Sequence, residues 1–167
     1  MSNAYEIFGL EPVFNLDLYD LEARFRRGQS LVHPDRWVTK SDQERVAAAA
    51  YAVKLNESYQ ILKDPLKRAA EFLKAKELNV PGENGQTVSH STLLIQIMHW
   101  REELENCSQA KELTALETTL SDRLNDVKAA FDQDRGNLLP YIYLEFVYIT
   151  KILEEINYHP LRKFHVR

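Results

Sequence analysis

The chain has 167 residues, 44% hydrophobic and 28% charged, with a formal net charge of −4. These totals suit one globular domain or two small ones and give no overall bias toward nucleic acid. Its single cysteine, Cys107, excludes an intramolecular disulfide and any zinc site built on several cysteines. No apolar run approaches the roughly 20 residues of a membrane span, and the start MSNAYEIFGL lacks a basic segment followed by an apolar core. A cytoplasmic protein without a secretion signal or membrane association is expected.

Tyr5 to Leu10 reads as one short helix, closed by Gly9 and then Pro12. The next helix opens at Leu16-Asp17, where Asp17 can cap and Leu16 can staple to Leu21. Leu18, Leu21, Phe25 and Val32 lie near one face, the one expected to be buried. Acids (Asp17, Asp20, Glu22) crowd the start and bases (Arg24, Arg26, Arg27) lie further along, as the helix dipole prefers. Gly28 within the helix costs about 1 kcal/mol against alanine; a close helix–helix approach would account for it.

Pro34 ends this helix near His33, because proline cannot donate a backbone hydrogen bond and disfavours helix at the residue before it. Val32-His33-Pro34-Asp35-Arg36 is then a stiff turn presenting an imidazole and a carboxylate. Ser41-Asp42-Gln43-Glu44 is a capping-box pattern, so a long alanine-rich helix runs from there to Leu62. Ala47, Ala50, Val53 and Leu62 suit its contact with the helix before the turn, the two forming an antiparallel hairpin. Asp64-Pro65 restarts the chain as a further helix to about Leu78.

The turn dipeptides Pro81-Gly82 and Asn84-Gly85 mark the clearest break. The expected organisation is an N-terminal domain over 1–78, a linker over 79–89 and a second domain over 90–167. Three helices are expected in the second: about Ser91 to Glu105, about Ser108 to Arg135 with Gly136 as its stop, and about Leu138 to Ile156. Leu113, Leu116, Leu120, Leu124, Val127 and Phe131 give the middle one a clean apolar stripe. Short connections imply antiparallel neighbours and a three-helix bundle, and no segment alternates as a strand does. The fold class is all-α.

As bare residues, His33-Pro34-Asp35 has a plain reading, a helix-ending turn whose polar side chains cap and solvate. Catalysis by this pair has less support, since no nucleophile stands beside it and adjacency in sequence is not triad geometry. In the helix from Ser91, Leu93, Ile97, Trp100 and Leu104 share a core face, while Leu94, Ile95 and Met98 lie about 100° to 200° away by the 3.6-residue period. Either that helix is buried on two sides, or it carries an exposed apolar patch edged by Glu102 and Glu105, which would mark a partner site. The last helix repeats the pattern: Leu138, Ile142, Phe146, Ile149, Leu153 and Ile156 serve a core, and Leu144, Val147 and Tyr148 are left over. His159 and His165 lie in a basic tail with Arg162, Lys163 and Arg167, which is expected to fray. Tyr141, Tyr143, Phe146 and Tyr148 lack interleaved basic residues, so no nucleic-acid partner is expected. Cys107 reads as a small structural residue. Neither a metal site nor a cofactor is expected.

The context of the turn is more specific than its three residues. Tyr5-x-x-Phe8-Gly9-Leu10, an arginine-bearing helix, His33-Pro34-Asp35, and then Leu55-Asn56-x-x-Tyr59-x-x-Leu62-x-Asp64-Pro65-x-x-Arg68-Ala69 together resemble the J-domain of DnaJ-type co-chaperones over roughly residues 3–76. The resemblance implies that His33, Pro34 and Asp35 trigger ATP hydrolysis by a DnaK-type chaperone. It also implies that Arg24, Arg26 and Arg27 form the electrostatic docking face. Val32 stands where many J-domains have tyrosine, and Arg36 where lysine is common.

A J-domain followed by a short linker and a bundle containing Leu94-Ile95-x-x-Met98-x-x-x-Glu102-Glu103-Leu104 is similar to the HscB family of J-proteins, of the bacterial type that lacks a zinc-binding cysteine module. That resemblance implies a co-chaperone of iron–sulfur cluster biogenesis with no enzymatic step of its own. Its bundle would bind the scaffold protein IscU through Leu94, Ile95, Met98, Glu102 and Tyr148, and its J-domain would stimulate the chaperone HscA. His99 and Asn106 stand where acids are often found, which makes the patch less acidic. The alternative is a J-protein of another type whose bundle binds a different client. A direct carrier of iron–sulfur clusters is disfavoured, because one cysteine cannot supply the usual four thiolates.

Overall fold

The computed structural model describes residues 3–83, 90–133 and 135–165, and the described residues form helices and turns without a strand. The chain divides into two compact units, Met1–Glu77 and Leu78–Arg167.

In the first unit, Glu6–Phe8 is a single 3-10 turn where a short helix was expected. Gly9 adopts the left-handed conformation (φ 61°) and donates its N–H to Glu6, so the turn stops after three residues. Helix α1 (Leu18–Leu31) is capped by Asp17, whose carboxylate accepts from the backbone N–H of Tyr19 and Asp20. Helix α2 (Asp42–Lys63) starts at the Ser41–Glu44 capping box, and hydrogen bonds from Ser41 hold the Glu44 carboxyl below the usual glutamate range. Phe25 of α1 stacks on Tyr59 of α2 with ring centroids 4.0 Å apart. Tyr5, Phe8, Leu21, Leu55 and Leu62 form the core beneath this antiparallel hairpin.

Two expectations about the buried faces fail. Leu18 is exposed. Gly28 lies against Leu55, and Leu21 shares a cluster with Leu62, so the same register carries Leu18 past Lys63, where α2 has ended. On α2, Ala47, Ala50 and Val53 are exposed, and the buried positions are Ala48, Leu55, Ser58 and Leu62. An alanine run offers apolar positions on every side, so the face is set by the leucines, and Ala48–Leu55–Leu62 is their seven-residue repeat.

Gly28 does mark a close approach. A Cβ there would lie 2.8 and 2.9 Å from the two Leu55 methyl carbons, and Leu55 is only 1% exposed. Gly28→Val should therefore destabilise the protein by about 2 kcal/mol through overpacking, read as a lower denaturation midpoint in urea. An unchanged midpoint would mean the helices can separate at no cost.

Helix α3 (Pro65–Ala75) is capped by Asp64, which accepts from Leu66 and Lys67 at 2.9 and 2.8 Å. It ends three residues before the expected Leu78, and Glu77 then takes a left-handed φ of 57°. The buried Arg68 donates to the Leu62 carbonyl at 2.7 Å and lies over the Phe14 ring, tying α3 to the end of α2.

In the second unit, Val80–Glu83 is a turn in which Glu83 N–H donates to Val80 and Gly82 sits at φ 88°, a position that favours glycine. Of the expected linker, residues 84–89, including Asn84-Gly85, lie outside the described residues. Helices α4 (Ser91–Asn106), α5 (Ala110–Phe131) and α6 (Leu139–Asn157) form the bundle. Leu93, Ile97, Trp100 and Leu104 of α4 are buried against it, as are Leu113, Leu116, Leu120, Val127 and Phe131 of α5. Contacts fix the directions. Arg123–Glu145 and Glu117–Arg162 make α5 antiparallel to the last segment, while His90–Tyr141 and Arg101–Glu155 make α4 and α6 run parallel.

Helix α5 stops at Phe131, four residues short of the expected Arg135. Phe131 is its last apolar residue, and Gly136 (φ 47°) begins a 3-10 turn of its own rather than capping the helix. On α6 the buried residues are Leu139, Phe146, Ile149, Ile152 and Ile156; Leu138, expected in the core, precedes the helix and is exposed, and Ile142 and Leu153 are half-buried. The tail expected to fray instead forms 3-10 turns over Pro160–His165, and Arg162 donates to Glu117 at 2.9 Å.

Glu145 is the polar exception inside the bundle. It is 3% exposed and accepts two hydrogen bonds from Arg123, at 2.6 and 3.0 Å, which raise the Arg123 pKa above its ordinary value. Arg123→Ala would leave a buried carboxylate without its cation. Because the Arg123 side chain is half exposed, water offsets part of the loss. We expect a destabilisation of about 2 kcal/mol, seen in thermal melts, whereas Arg123→Lys should recover part of it. A melt unchanged by Arg123→Ala would mean that Glu145 does not depend on its cation.

Candidate partner-docking surfaces

The first surface is the turn after α1. The helix leaves its last carbonyls without intrahelical partners, Val32 closes it, and Pro34–Arg36 forms one 3-10 turn. Arg36 N–H donates to the His33 carbonyl at 3.0 Å and Trp37 N–H to that of Pro34 at 2.9 Å. His33 caps the turn, its Nδ1 accepting from Asp35 N–H at 3.4 Å. A neutral His33 ring then carries its proton on Nε2, free to donate outward. Its side chain is 60% exposed and that of Asp35 88% exposed. The turn, α1 and α2 border an open pocket of about 350 Å³ lined by Gln29, Val32, His33, Pro34, Ala52 and Asn56.

The three arginines separate. Arg24 is half-buried; it pairs with Asp20 at 2.8 Å and donates to the Phe8 carbonyl at 2.8 Å, so much of its charge is spent inside the unit. Arg26 and Arg27 are exposed, Arg26 pairing with Glu22 one helical turn away. Sequence reasoning did not single out Trp37, whose indole N–H donates to the Leu31 carbonyl at 2.9 Å. An unusual tryptophan beside the turn was the available signal.

The second surface lies on α4. Leu94, Ile95 and Met98 are 43%, 67% and 69% exposed, and Glu102 is exposed beside them. The two-sided-burial alternative therefore does not hold for this helix. Glu102 follows Met98 by four residues and Ile95 by seven, so it shares their outward face. The leftover residues of α6, Leu144, Val147 and Tyr148, are half-buried rather than exposed. Tyr148 lies seven residues from both Tyr141, which meets His90 edge-on at 4.6 Å, and Glu155, which pairs with Arg101 at 3.1 Å. Leu94 lies on α4 between those same two partners. The α4–α6 seam thus places Tyr148 alongside the middle of α4, between the levels of Leu94 and Ile97, and the Lys151 ammonium sits 5.7 Å from the Tyr148 ring centroid. Lys151 was not foreseen as a neighbour of this patch.

Next to this patch, toward the C-terminal end of α4, a cavity of about 520 Å³ is lined by His99, Glu102, Glu103, Asn106, Cys107 and Glu112. His99 Nδ1 is 3.5 Å from Glu103, so this histidine sits against the acid that follows it by one turn. Burial, then Glu112 and Glu103, push the Cys107 thiol up, which keeps it protonated and a poor nucleophile or ligand. Among the described residues no group of three or more His, Cys, Asp or Glu gathers as a metal would require, and no helix is long and apolar enough to cross a membrane.

Comparison with known proteins bears on both units. Residues 89–157 match the family model described as the HSCB C-terminal oligomerisation domain. A co-chaperone protein HscB homolog from Paraburkholderia phymatum is 38% identical over 127 residues, covering 76% of this chain and 72% of that protein. Its counterpart from Burkholderia thailandensis is 39% identical over 135 residues, covering 81% and 76%. Among solved structures, chaperone HscB from Vibrio cholerae aligns with a TM-score of 0.73 at 28% identity over 94% of this chain and 96% of that one. Human co-chaperone HscB gives 0.76 at 23% identity over 95% and 82%, a likeness of fold. A hairpin with an exposed His-Pro-Asp turn, a three-helix bundle and relatives that span both place the chain in the HscB co-chaperone family.

Proposed function

We propose that this family member is an adaptor that makes no covalent bond itself. Its second unit captures the iron–sulfur scaffold protein (IscU-type), and its first unit delivers that scaffold to a DnaK-type chaperone (HscA-type) and promotes ATP hydrolysis there. The outcome is assistance to iron–sulfur cluster assembly and transfer in the cytoplasm. In this reading residues 1–78 are the J-domain, 90–167 the scaffold-binding bundle and 79–89 the connection.

The observation that carries the proposal is the exposure of two unlike surfaces on separate units: a polar turn at His33–Asp35, and an apolar patch at Leu94, Ile95 and Met98. Asp35 offers an acceptor to an arginine fork, Pro34 holds the turn, and Arg26 and Arg27 steer toward an acidic partner, with Arg24 contributing from its half-buried position. Leu94, Ile95 and Met98 supply apolar area, Tyr148 an aromatic edge in the same seam, and Glu102 a charged rim.

A pull-down from native cytosol with the full chain as bait tests both halves. Recovery of the scaffold regardless of nucleotide, and of the chaperone only with ATP, supports the adaptor; recovery of neither opposes it.

A further inference from the structure

The turn Pro34–Arg36 is rigid within itself, since two backbone hydrogen bonds span it. Its direction relative to α1 is another matter. That direction depends on the backbone angles of Val32 (φ −101°, ψ 8°) and His33 (φ −58°, ψ 131°). Proline restrains His33 to extended ψ, and the Val32 N–H is held to α1 by the Gly28 and Gln29 carbonyls at 3.3 and 3.2 Å. Those bonds fix the residue on the helix side and leave its ψ, the rotation that turns the segment beyond it, without a backbone restraint of its own. A trigger that must meet its partner in one orientation needs this hinge held.

We propose that Trp37 is the positioning residue that holds it. Its indole N–H donates to the Leu31 carbonyl at 2.9 Å, so one side-chain bond reaches from just after the turn back to the last residue of α1. The loop it closes contains Val32, His33, Pro34, Asp35 and Arg36. The Trp37 backbone is fixed on both sides: its N–H donates to Pro34 and its carbonyl accepts from Lys40 N–H at 3.0 Å. The brace therefore ties the end of α1 to the approach into α2, with His33 and Asp35 projecting from the strapped segment. Trp37 touches no partner in this role; it reduces the orientations the turn samples before docking, and preorganisation of that kind tightens binding without adding a contact.

Leu31 is exposed, so water can hydrate its carbonyl when the indole N–H is absent. Trp37→Phe should leave the fold intact while freeing the hinge. This inference rests on the trigger role proposed for the turn. The test is the ATPase rate of a DnaK-type chaperone titrated with full-length Trp37→Phe protein, beside the unsubstituted protein and Trp37→Leu. We expect the concentration for half-maximal stimulation to rise about fivefold, the size of one lost hydrogen bond. The maximal rate, melting temperature and scaffold affinity should be unchanged, and Trp37→Leu should show at least the same shift. An unshifted half-maximal concentration would overturn the proposal, as would a fall in maximal rate alone. Proton exchange at the Trp37 indole, followed by NMR, decides the brace independently: slowed exchange supports it, and exchange at the rate of a free indole overturns it even if the chaperone assay fails. Absence of stimulation by the unsubstituted protein would instead overturn the trigger reading.

Discussion

His33→Gln should abolish stimulation of a DnaK-type chaperone's ATPase while leaving the protein folded and still able to bind its scaffold. The side chain is 60% exposed and serves only the local turn, where Nδ1 accepts from Asp35 N–H. Its removal therefore costs little fold stability. What it removes is the rigid imidazole, whose Nδ1 accepts from Asp35 N–H and so fixes where the ring presents its other nitrogen, next to a carboxylate that is 88% exposed. The glutamine amide can still donate, but from a flexible arm that the turn does not hold. Loss of one hydrogen bond in a desolvated contact with a charged neighbour costs about 2 kcal/mol or more, roughly 30-fold in docking. At the concentration where the unsubstituted protein stimulates half-maximally, the variant should show close to the basal rate. Asp35→Asn should fail similarly by losing the charge that an arginine fork requires. Full stimulation by His33→Gln would sink the trigger assignment.

Leu94→Ala combined with Met98→Ser should weaken scaffold binding by about 100-fold, with chaperone stimulation in the absence of scaffold unchanged. Both side chains are largely exposed, so the bundle keeps its core of Leu93, Ile97, Trp100 and Leu104. Burying a leucine and a methionine in a complex contributes about 3 kcal/mol together, which sets the expected loss. Isothermal titration against an IscU-type scaffold reads it directly. Wild-type affinity in the double variant would mean that the exposed stripe belongs to another client or to none.

Much of this was legible in the sequence because the signals were local. Asp17, Ser41 and Asp64 cap helices where their residue types predict, and Pro34 ends α1 as a proline must. Leu93, Ile97, Trp100 and Leu104 are buried at the helical period, leaving Leu94, Ile95 and Met98 outside. What failed was choice among equivalent faces. The alanine run of α2 and the isoleucine-rich α6 are apolar on several sides, so period alone did not separate Ala48 from Ala47 or Leu139 from Leu138. Long-range pairs were invisible for a different reason. Neither Arg123 with Glu145 nor Arg101 with Glu155 has a spacing that announces it, and the local six-residue step from Leu31 to Trp37 matches no regular period. Lys151, by contrast, stands at the i+3 position of Tyr148, where the helical period puts a neighbour. Arg24 shows the consequence for function: as one of three basic residues it looked equivalent to Arg26 and Arg27, yet the Phe8 carbonyl and Asp20 already engage it.

The central claim is that one chain couples scaffold capture to chaperone activation. Its most direct test measures single-turnover ATP hydrolysis by the HscA-type chaperone as the IscU-type scaffold is titrated, with and without this protein. The account predicts that the protein lowers the scaffold concentration needed for half-maximal stimulation, and that either His33→Gln or the Leu94→Ala, Met98→Ser pair removes the effect. A scaffold requirement that stays the same whether or not the protein is present would contradict it.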